Sequence, residues 1–215
     1  MTLPRRRFVA MVPLVAGTLM SRPSAIVAAE PDLRETADLI TGPFYPLDKP
    51  RDVDADLTLI RGHRKRASGQ VVQLTGRVMT LQGEPVRHAA IEVWQADARG
   101  RYSHPSDPNT GAPLDPNFQG YARLRTDGDG RYRLTTIKPG AYPTARGDMR
   151  APHIHFQIDG AFDRKVTQLF FPDEPLNDQD RHLNSVRRPE TLIARVDDPS
   201  GSVLTANWDI VLHSG

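Results

Sequence analysis

From residue 71 onward the chain is a succession of short runs in which apolar and polar residues alternate, and this pattern constrains the fold most. Turn-forming clusters separate the runs, among them Gln82–Pro85 and Asp127–Gly130. No convincing amphipathic helix interrupts them, and only 175–189 suggests a helical turn. The pattern predicts an all-β antiparallel sandwich with little helix. The main runs are VVQLTGRVMT, HAAIEVWQAD, GYARLRT, RYRLTTI, HIHFQI, VTQLFF, TLIARV and LTANWDIVLH.

The first 29 residues have the pattern of an export signal. Three arginines at 5–7 precede an apolar run at 8–20, and the small residues at 27–29 form a plausible cleavage site. The apolar run is too short and wrongly flanked for a membrane span. The arginines fit the twin-arginine pattern, although an ordinary secretory signal with an extra arginine is the alternative. We therefore expect a periplasmic or secreted protein, with 30–70 as an extended segment and 71–215 as the folded core.

Charge and cysteine content exclude several classes of function. The chain has a formal charge of +2, but subtracting the four arginines of residues 1–29 leaves −2 on the remainder. This balance predicts no nucleic-acid partner. The chain has no cysteine, so a thiolate nucleophile, a disulfide framework and a cysteine-ligated metal are all excluded. Any metal must be held by histidine, tyrosine or carboxylate side chains.

The sequence RAPHIHFQI places two histidines, His153 and His155, two residues apart in a predicted strand. Residues i and i+2 of a strand point to the same face, so both imidazoles are directed to one location. The alternative is a pair of strand histidines hydrogen-bonded to their neighbours. Neutral imidazole is the commonest metal ligand in proteins, and a shared metal accounts directly for the pair.

Tyrosines are the remaining candidate ligands. Tyr142 lies in the turn KPGAYP just before the histidine strand. Tyr102 opens an 18-residue segment, 103–120, that has four prolines and no strand pattern; loops of that length in compact domains are usually functional or disordered. Tyr132 lies in the same Gly-Arg-Tyr triplet as Tyr102, and spacing alone does not separate the two. Taken singly, each tyrosine is better explained by packing than by metal binding.

Together these motifs carry a family resemblance. The chain resembles the intradiol ring-cleavage dioxygenases, and within this family it is most similar to the iron-bearing chain of the protocatechuate-cleaving enzymes. The motifs that carry the resemblance are WQADARGRYSH, PLDPNFQG, TDGDGRYRLTTIKPGAYP, RAPHIHF and TQLFF. The resemblance extends from about residue 71 to the C-terminus. It implies a Greek-key, transthyretin-like β-sandwich with long active-site loops.

The resemblance also implies a cofactor and its ligands. One Fe(III) per chain would be held by two tyrosinates and two histidines, which by position are Tyr102, Tyr142, His153 and His155. Tyr132 falls on a strand and is not implied as a ligand. The implied reaction is cleavage of a catechol-type ring by O2 between its two hydroxylated carbons, giving a cis,cis-muconate-type dicarboxylic acid. Tyr142 would leave the iron when substrate binds and would accept a substrate proton. The implied partners are the catechol and O2, with a homo-oligomer as an open possibility.

Further residues receive roles from the same resemblance. Arg150 would lie beside the substrate ring, and Gln168 would lie near the iron. Gly42, Pro43 and Tyr45, in TGPFYP, would line the substrate pocket, so that the extended segment contributes a wall of the site.

Departures from the family pattern leave the substrate open. Thr144 stands where protocatechuate-cleaving relatives have tryptophan, and 149–152 reads Met-Arg-Ala-Pro where they have Trp-Arg-Pro-Ala. The pocket wall is therefore altered although the ligand set is intact. Two other functions stay open: a non-catalytic, transthyretin-like secreted module, which would stop near the PGAYP turn, and a histidine-ligated zinc or copper enzyme.

Overall fold

The computed structural model describes residues 33–197 and 201–214, and the predicted export signal at 1–29 lies outside them. The described part of the chain forms eleven strands and three short 3₁₀ helices. The strands are β1 (Val71–Thr80), β2 (Ala90–Trp94), β3 (Tyr121–Arg125), β4 (Arg131–Ile137), β5 (Tyr142–Pro143), β6 (Met149–Arg150), β7 (His153–Asp159), β8 (Arg164–Phe170), β9 (Arg195–Val196), β10 (Val203–Asn207) and β11 (Ile210–Leu212). The 3₁₀ helices are Asn177–Gln179, Leu183–Ser185 and Pro189–Leu192.

Two main sheets share one apolar core. The first contains β1 with β4 on one side and β10, β11 and β9 on the other, and the second has the order β3-β2-β7-β8. Alternate residues of β1, such as Val72 and Leu74, meet Ile91 of β2 and Phe156 of β7 in the core between the sheets. The prediction of an all-β sandwich with little helix is confirmed, because period-2 runs bury one face of each strand in this core.

The pairing of β1 differs from the antiparallel expectation in one respect. β1 pairs antiparallel with β4, but it pairs parallel with β10 and with β11. Hairpin turns specify only neighbours in sequence, whereas β10 and β11 return to β1 from more than 120 residues away, as the pairing of Val71 with Val203 shows. The first sheet is therefore mixed, and the second sheet is antiparallel throughout.

Two irregular regions, 33–50 and the segment with the 3₁₀ helices, pack against β8 of the second sheet. The segment 33–50 runs along β8, where the Leu39 amide donates to the Val166 carbonyl. Buried Lys165 of β8 holds this segment through ion pairs with Glu35 and Asp38, each 3.0 Å long. The 3₁₀ helices between 177 and 192 agree with the helical turn predicted near 175–189.

Candidate metal centre

The strand β7 buries both of its faces, which explains its two histidines. Ile154, Phe156 and Ile158 point into the core between the sheets. His153 and His155 therefore point to the opposite, outer face, and each is only 1% exposed. This face is enclosed by the irregular segments, so the imidazoles lie in a second buried region rather than in solvent.

One row of paired residues crosses the second sheet at this location. His155 pairs with Trp94 of β2 on one side and with Gln168 of β8 on the other. The indole of Trp94 stacks on the His155 ring at 4.9 Å with an angle of 10° between the planes. In a neighbouring cross-strand pair, His153 lies opposite Phe170, and the centroids of the two rings are 5.4 Å apart. Flat aromatic surfaces thus restrict the orientation of both imidazoles.

Two connecting segments bring the tyrosines to the same location. Tyr142 is the first residue of β5. The turn that carries Tyr102 packs against Ala141, the residue before Tyr142. Gly100 in that turn has φ +75°, and a Cβ there would lie 2.2 Å from the Ala141 carbonyl oxygen. Only glycine permits this contact. The Tyr102 amide is in turn fixed by a 2.9 Å hydrogen bond to Asp107 of the 103–120 loop.

The four predicted ligands form one buried cluster. The His153 and His155 Nε2 atoms are 3.2 Å apart, and the Tyr142 hydroxyl lies 3.4 Å from His153 Nε2. The Tyr102 ring stands edge-on to the Tyr142 ring at 5.3 Å. Both tyrosines are 3% exposed. The competing candidate, Tyr132, lies elsewhere, because its hydroxyl donates to the Trp208 carbonyl in the main core.

Burial favours the uncharged forms of these four side chains. It lowers the pKa of His153 and of His155 well below the usual range, with the nearby Arg150 adding to the effect. Burial also raises the pKa of Tyr102 and Tyr142. In His153 the Nδ1–H donates to the Ala151 carbonyl at 2.6 Å, so the lone pair of this neutral imidazole is on Nε2.

The cluster fits a metal ion better than it fits a hydrogen-bonded core. The buried Tyr102 hydroxyl has no hydrogen-bond partner within the described residues, an arrangement that is costly without a ligand. Among residues 33–197 and 201–214, no group of three or more histidine, cysteine or acidic side chains could hold a metal. A site here therefore needs the two phenol oxygens as well as the two imidazoles. Phenolates are hard anionic donors, which suit a trivalent ion such as Fe(III).

Arg150 is held rigidly next to the cluster. Its Nε donates to Asp180 at 2.8 Å, and its Nη2 donates to the Gln168 side chain at 2.7 Å. Gln168 is fixed at its other end by a hydrogen bond from its amide nitrogen to the Ile40 carbonyl. Arg150 and Gln168 thus lie near the cluster of two tyrosines and two histidines.

A cavity of about 570 Å³ opens beside the cluster. Tyr142 and Arg150 line it, as do Pro43 and Thr144 from the predicted substrate contacts. Gly42 packs instead against His155, where a Cβ would lie 3.1 Å from Cε1 of the ring.

Tyr45 does not line this cavity. Its ring packs edge-on against Trp94 at 5.0 Å, and its hydroxyl donates to Glu92. The sequence-based assignment of Tyr45 to the pocket wall therefore differs from its location behind the indole. A pocket motif such as TGPFYP specifies which segment reaches the site, but not which of its side chains faces the cavity.

Sequence reasoning missed two residues of this site. In the sequence, Trp94 is recognisable only as one residue of a strand with alternating apolar and polar positions. Its stacking on His155 depends on the register between β2 and β7, which the sequence does not indicate. Asp180 is fully buried and accepts hydrogen bonds from Arg150, from the Ala151 amide and from two amides of its own turn. Nothing in its local sequence distinguishes Asp180 from the exposed acids around it.

Comparison with known proteins defines the family. A family model described as "Dioxygenase" matches residues 40–214. The protocatechuate 3,4-dioxygenase beta chain of Burkholderia cepacia is 41% identical over 180 residues, covering 80% of this chain and 76% of its own. The hydroxyquinol 1,2-dioxygenase of Rhodococcus opacus is 32% identical over 154 residues, covering 65% of this chain and 47% of its own.

A solved structure gives the same result. The dioxygenase domain of a dioxygenase–carbohydrate-binding fusion from the cellulolytic bacterium Streptomyces sp. SirexAA-E superposes with a TM-score of 0.64 at 26% identity, covering 85% of this chain and all of that domain. The chain belongs to the intradiol ring-cleaving dioxygenases. The family match continues well past the PGAYP turn, so it does not support the alternative of a transthyretin-like module. Within the described residues, no helix is long and apolar enough to span a membrane.

Proposed function

We propose that this chain cleaves catechol-type rings with O2 at a single Fe(III) held by Tyr102, Tyr142, His153 and His155, giving a cis,cis-muconate-type diacid. The observation that carries this proposal is the buried cluster of two phenol and two imidazole side chains. When bound there, Fe(III) would take up both catechol oxygens and make the ring reactive toward O2.

Tyr142 is the residue best placed to move a proton. Its hydroxyl lies in the ligand cluster, and its side chain also lines the cavity from which a substrate enters. A phenolate released as the substrate binds would accept a proton at Oη from the catechol hydroxyl. This transfer removes one of the two catechol protons, and one further base, such as hydroxide from solvent, would accept the second so that the substrate binds as the dianion.

Arg150 would stabilise negative charge on the substrate ring. Asp180 and Gln168 occupy Nε and Nη2, whereas Nη1 makes no hydrogen bond within the described residues. A guanidinium held in this way is a fixed positive group beside a cavity that Phe44 and Pro43 also line. Preorganised charges of this kind need no rearrangement as the reaction proceeds.

Oxygen uptake and metal content test this proposal together. The iron-loaded protein is expected to be coloured by tyrosinate-to-Fe(III) charge transfer and to consume O2 with catechol, protocatechuate or hydroxyquinol. The zinc-loaded protein is expected to be colourless and inactive. Activity with zinc or copper but not with iron would contradict the proposal.

Substitutions separate ligand roles from packing roles. His153→Ala or His155→Ala is expected to abolish iron binding, and Tyr142→Phe to keep most of the iron but slow substrate binding. Tyr132→Phe is the matched control, since it removes a buried tyrosine hydroxyl outside the cluster and is expected to retain iron and activity. Full iron content in His153→Ala would contradict the ligand assignment.

We propose further that the protein is exported to the periplasm or beyond, on the basis of the arginine cluster and apolar run in residues 1–29. Replacing the arginine cluster by lysine, as Arg5→Lys with Arg6→Lys and Arg7→Lys, is expected to leave the protein in the cytoplasmic fraction. Export at the normal level by this variant would contradict a twin-arginine signal.

A further inference from the structure

The cavity beside the cluster extends from a buried end to an exposed mouth. Tyr142 and Arg150 lie at the inner end and are 3% and 5% exposed. Arg146, Asp148 and Arg181 line the same cavity and are exposed to solvent. A substrate whose ring reaches the inner end therefore has a direct path along which a ring substituent can extend outward.

The volume exceeds what a single catechol ring requires. The cavity of about 570 Å³ equals the volume of roughly 19 waters, at about 30 Å³ for each water. Cavities of about 300–1,000 Å³ typically hold ligands of drug size rather than one six-membered ring. Thr144 leaves this space open, because its short side chain lines the cavity just outside Tyr142.

Part of the cavity wall is apolar. It is formed by side chains without charge, and Ile40 among them is 50% exposed. Covering this surface would be favourable for any apolar group. These wall residues are Ile40, Pro43, Phe44, Pro108 and Ala145.

The mouth carries an excess of positive charge. Arg181 is paired with Asp148 at 3.2 Å, so these two charges largely compensate each other. The Arg146 guanidinium makes no hydrogen bond or ion pair with the described part of the chain. It lies in the turn between β5 and β6, where the hydroxyl of Thr144 fixes its backbone amide at 3.2 Å. The mouth therefore favours an anionic group, and Arg146 is the residue available to bind it.

We propose that the preferred substrates are catechols whose ring carries an apolar side chain ending in a carboxylate. The catechol oxygens would lie at the ligand cluster, the apolar spacer would cover Ile40 and Phe44, and the carboxylate would pair with Arg146. This inference rests on the proposed ring-cleaving function and refines its substrate class. It differs from recognition of protocatechuate, in which the carboxylate is attached directly to the ring.

Matched substrates isolate the effect of charge. 3-(3,4-Dihydroxyphenyl)propanoate and its methyl ester share the ring and the spacer but differ in charge. The acid is expected to have a kcat/KM about fivefold higher than the ester, mainly through KM, because an exposed ion pair contributes up to about 1 kcal/mol. The difference is expected to disappear near 1 M salt, where the Debye length is about 3 Å.

Variants of the iron-loaded protein then test the residue. Arg146→Ala is expected to remove the preference for the acid while leaving kcat/KM for catechol and for the ester unchanged. Arg146→Lys is expected to keep most of the preference for the acid. Arg64→Ala, which removes an exposed arginine outside the cavity, is the control.

The possible failures are distinguishable. If catechol is cleaved but the acid is no better than its ester, or Arg146→Ala keeps the preference, the substrate inference is overturned and the ring-cleaving function stands. A protocatechuate kcat/KM above that of the longer acid overturns it as well. If the iron-loaded protein cleaves no catechol at all, the proposed function fails and the substrate inference fails with it.

Discussion

At the residue scale, the burial of His153 and His155 is the feature that most needs an explanation. The most that the two imidazoles can do for each other is one hydrogen bond, in which His155 Nε2–H donates to His153 Nε2. Their Nε2 atoms are 3.2 Å apart, and the neighbouring Tyr102 hydroxyl has no partner among the described residues. A shared cation would satisfy all of these groups at once, which is why the cluster favours a metal ion over a hydrogen-bonded core.

Asp180 is expected to be a major contributor to stability. The Asp180→Ala variant would leave Arg150 buried without its carboxylate and is expected to lower the free energy of unfolding by about 3–5 kcal/mol. Asp148→Ala removes the acid of the exposed Asp148–Arg181 pair and is expected to cost about 0–1 kcal/mol. Urea unfolding of both variants measures the difference. Equal losses would contradict a special role for Asp180.

Gly42 is expected to control the position of His155. It has φ +75°, and a Cβ there would lie 3.1 Å from the His155 ring, so Gly42→Ala is expected to weaken iron binding about 10–100-fold. Gly62→Ala is the control: with φ +89° it meets the same backbone strain, but nothing lies within 4 Å of its Cβ. Iron titration of both variants makes the comparison. A similar loss in both would mean that backbone strain, not contact with His155, is responsible.

The sequence permits prediction of the ligands to different degrees. That His153 and His155 point to one location follows from strand geometry alone, because i and i+2 share a face. Tyr102 and Tyr132 occupy identical triplets, and only the family resemblance separated them. The physical difference is tertiary: Tyr102 is in a turn against Ala141, whereas Tyr132 is on β4 and reaches Trp208. Trp94 and Asp180 act through register and long-range hydrogen bonds, which no local pattern encodes.

At the element scale, the N-terminal segment functions as a wall of the site. It has no regular secondary structure between 33 and 50, and it is held by contacts to β8 and β11. The Thr36 amide donates to the Val211 carbonyl, and the Thr36 hydroxyl accepts from the Val211 amide. Its polar, proline-containing sequence predicted an extended conformation. The anchoring of that segment could not be predicted, since its partners lie more than 120 residues away.

Lys165 is expected to be the main anchor of this segment. Lys165→Met keeps the apolar stem but removes the ammonium group that pairs with Glu35 and Asp38. Since about 1.4 kcal/mol corresponds to a factor of ten, loss of these partly buried pairs is expected to speed amide hydrogen exchange in 33–45 about tenfold. Lys65→Met, at an exposed lysine, is the control. Unchanged exchange in Lys165→Met would show that the backbone contacts suffice.

At the scale of the whole molecule, one sheet has two distinct tasks. The inner faces of β2, β7 and β8 close the core, and the outer faces of the same strands carry the row Trp94, His155 and Gln168. His153 and His155 therefore lie on a sheet whose rigidity comes from the core. Alternation predicted the sandwich. The parallel return of β10 and β11 to β1 could not be predicted, because turn patterns describe only adjacent strands.

The position of the oxygen atoms in the product tests the central claim most directly. The iron-loaded protein is allowed to react with catechol under ¹⁸O2, and the product is analysed by mass spectrometry. Cleavage between the two hydroxylated carbons predicts an acyclic dicarboxylic acid with one ¹⁸O atom in each carboxyl group. A semialdehyde, which forms when the ring opens beside the hydroxyls, or a diacid without ¹⁸O would contradict the account.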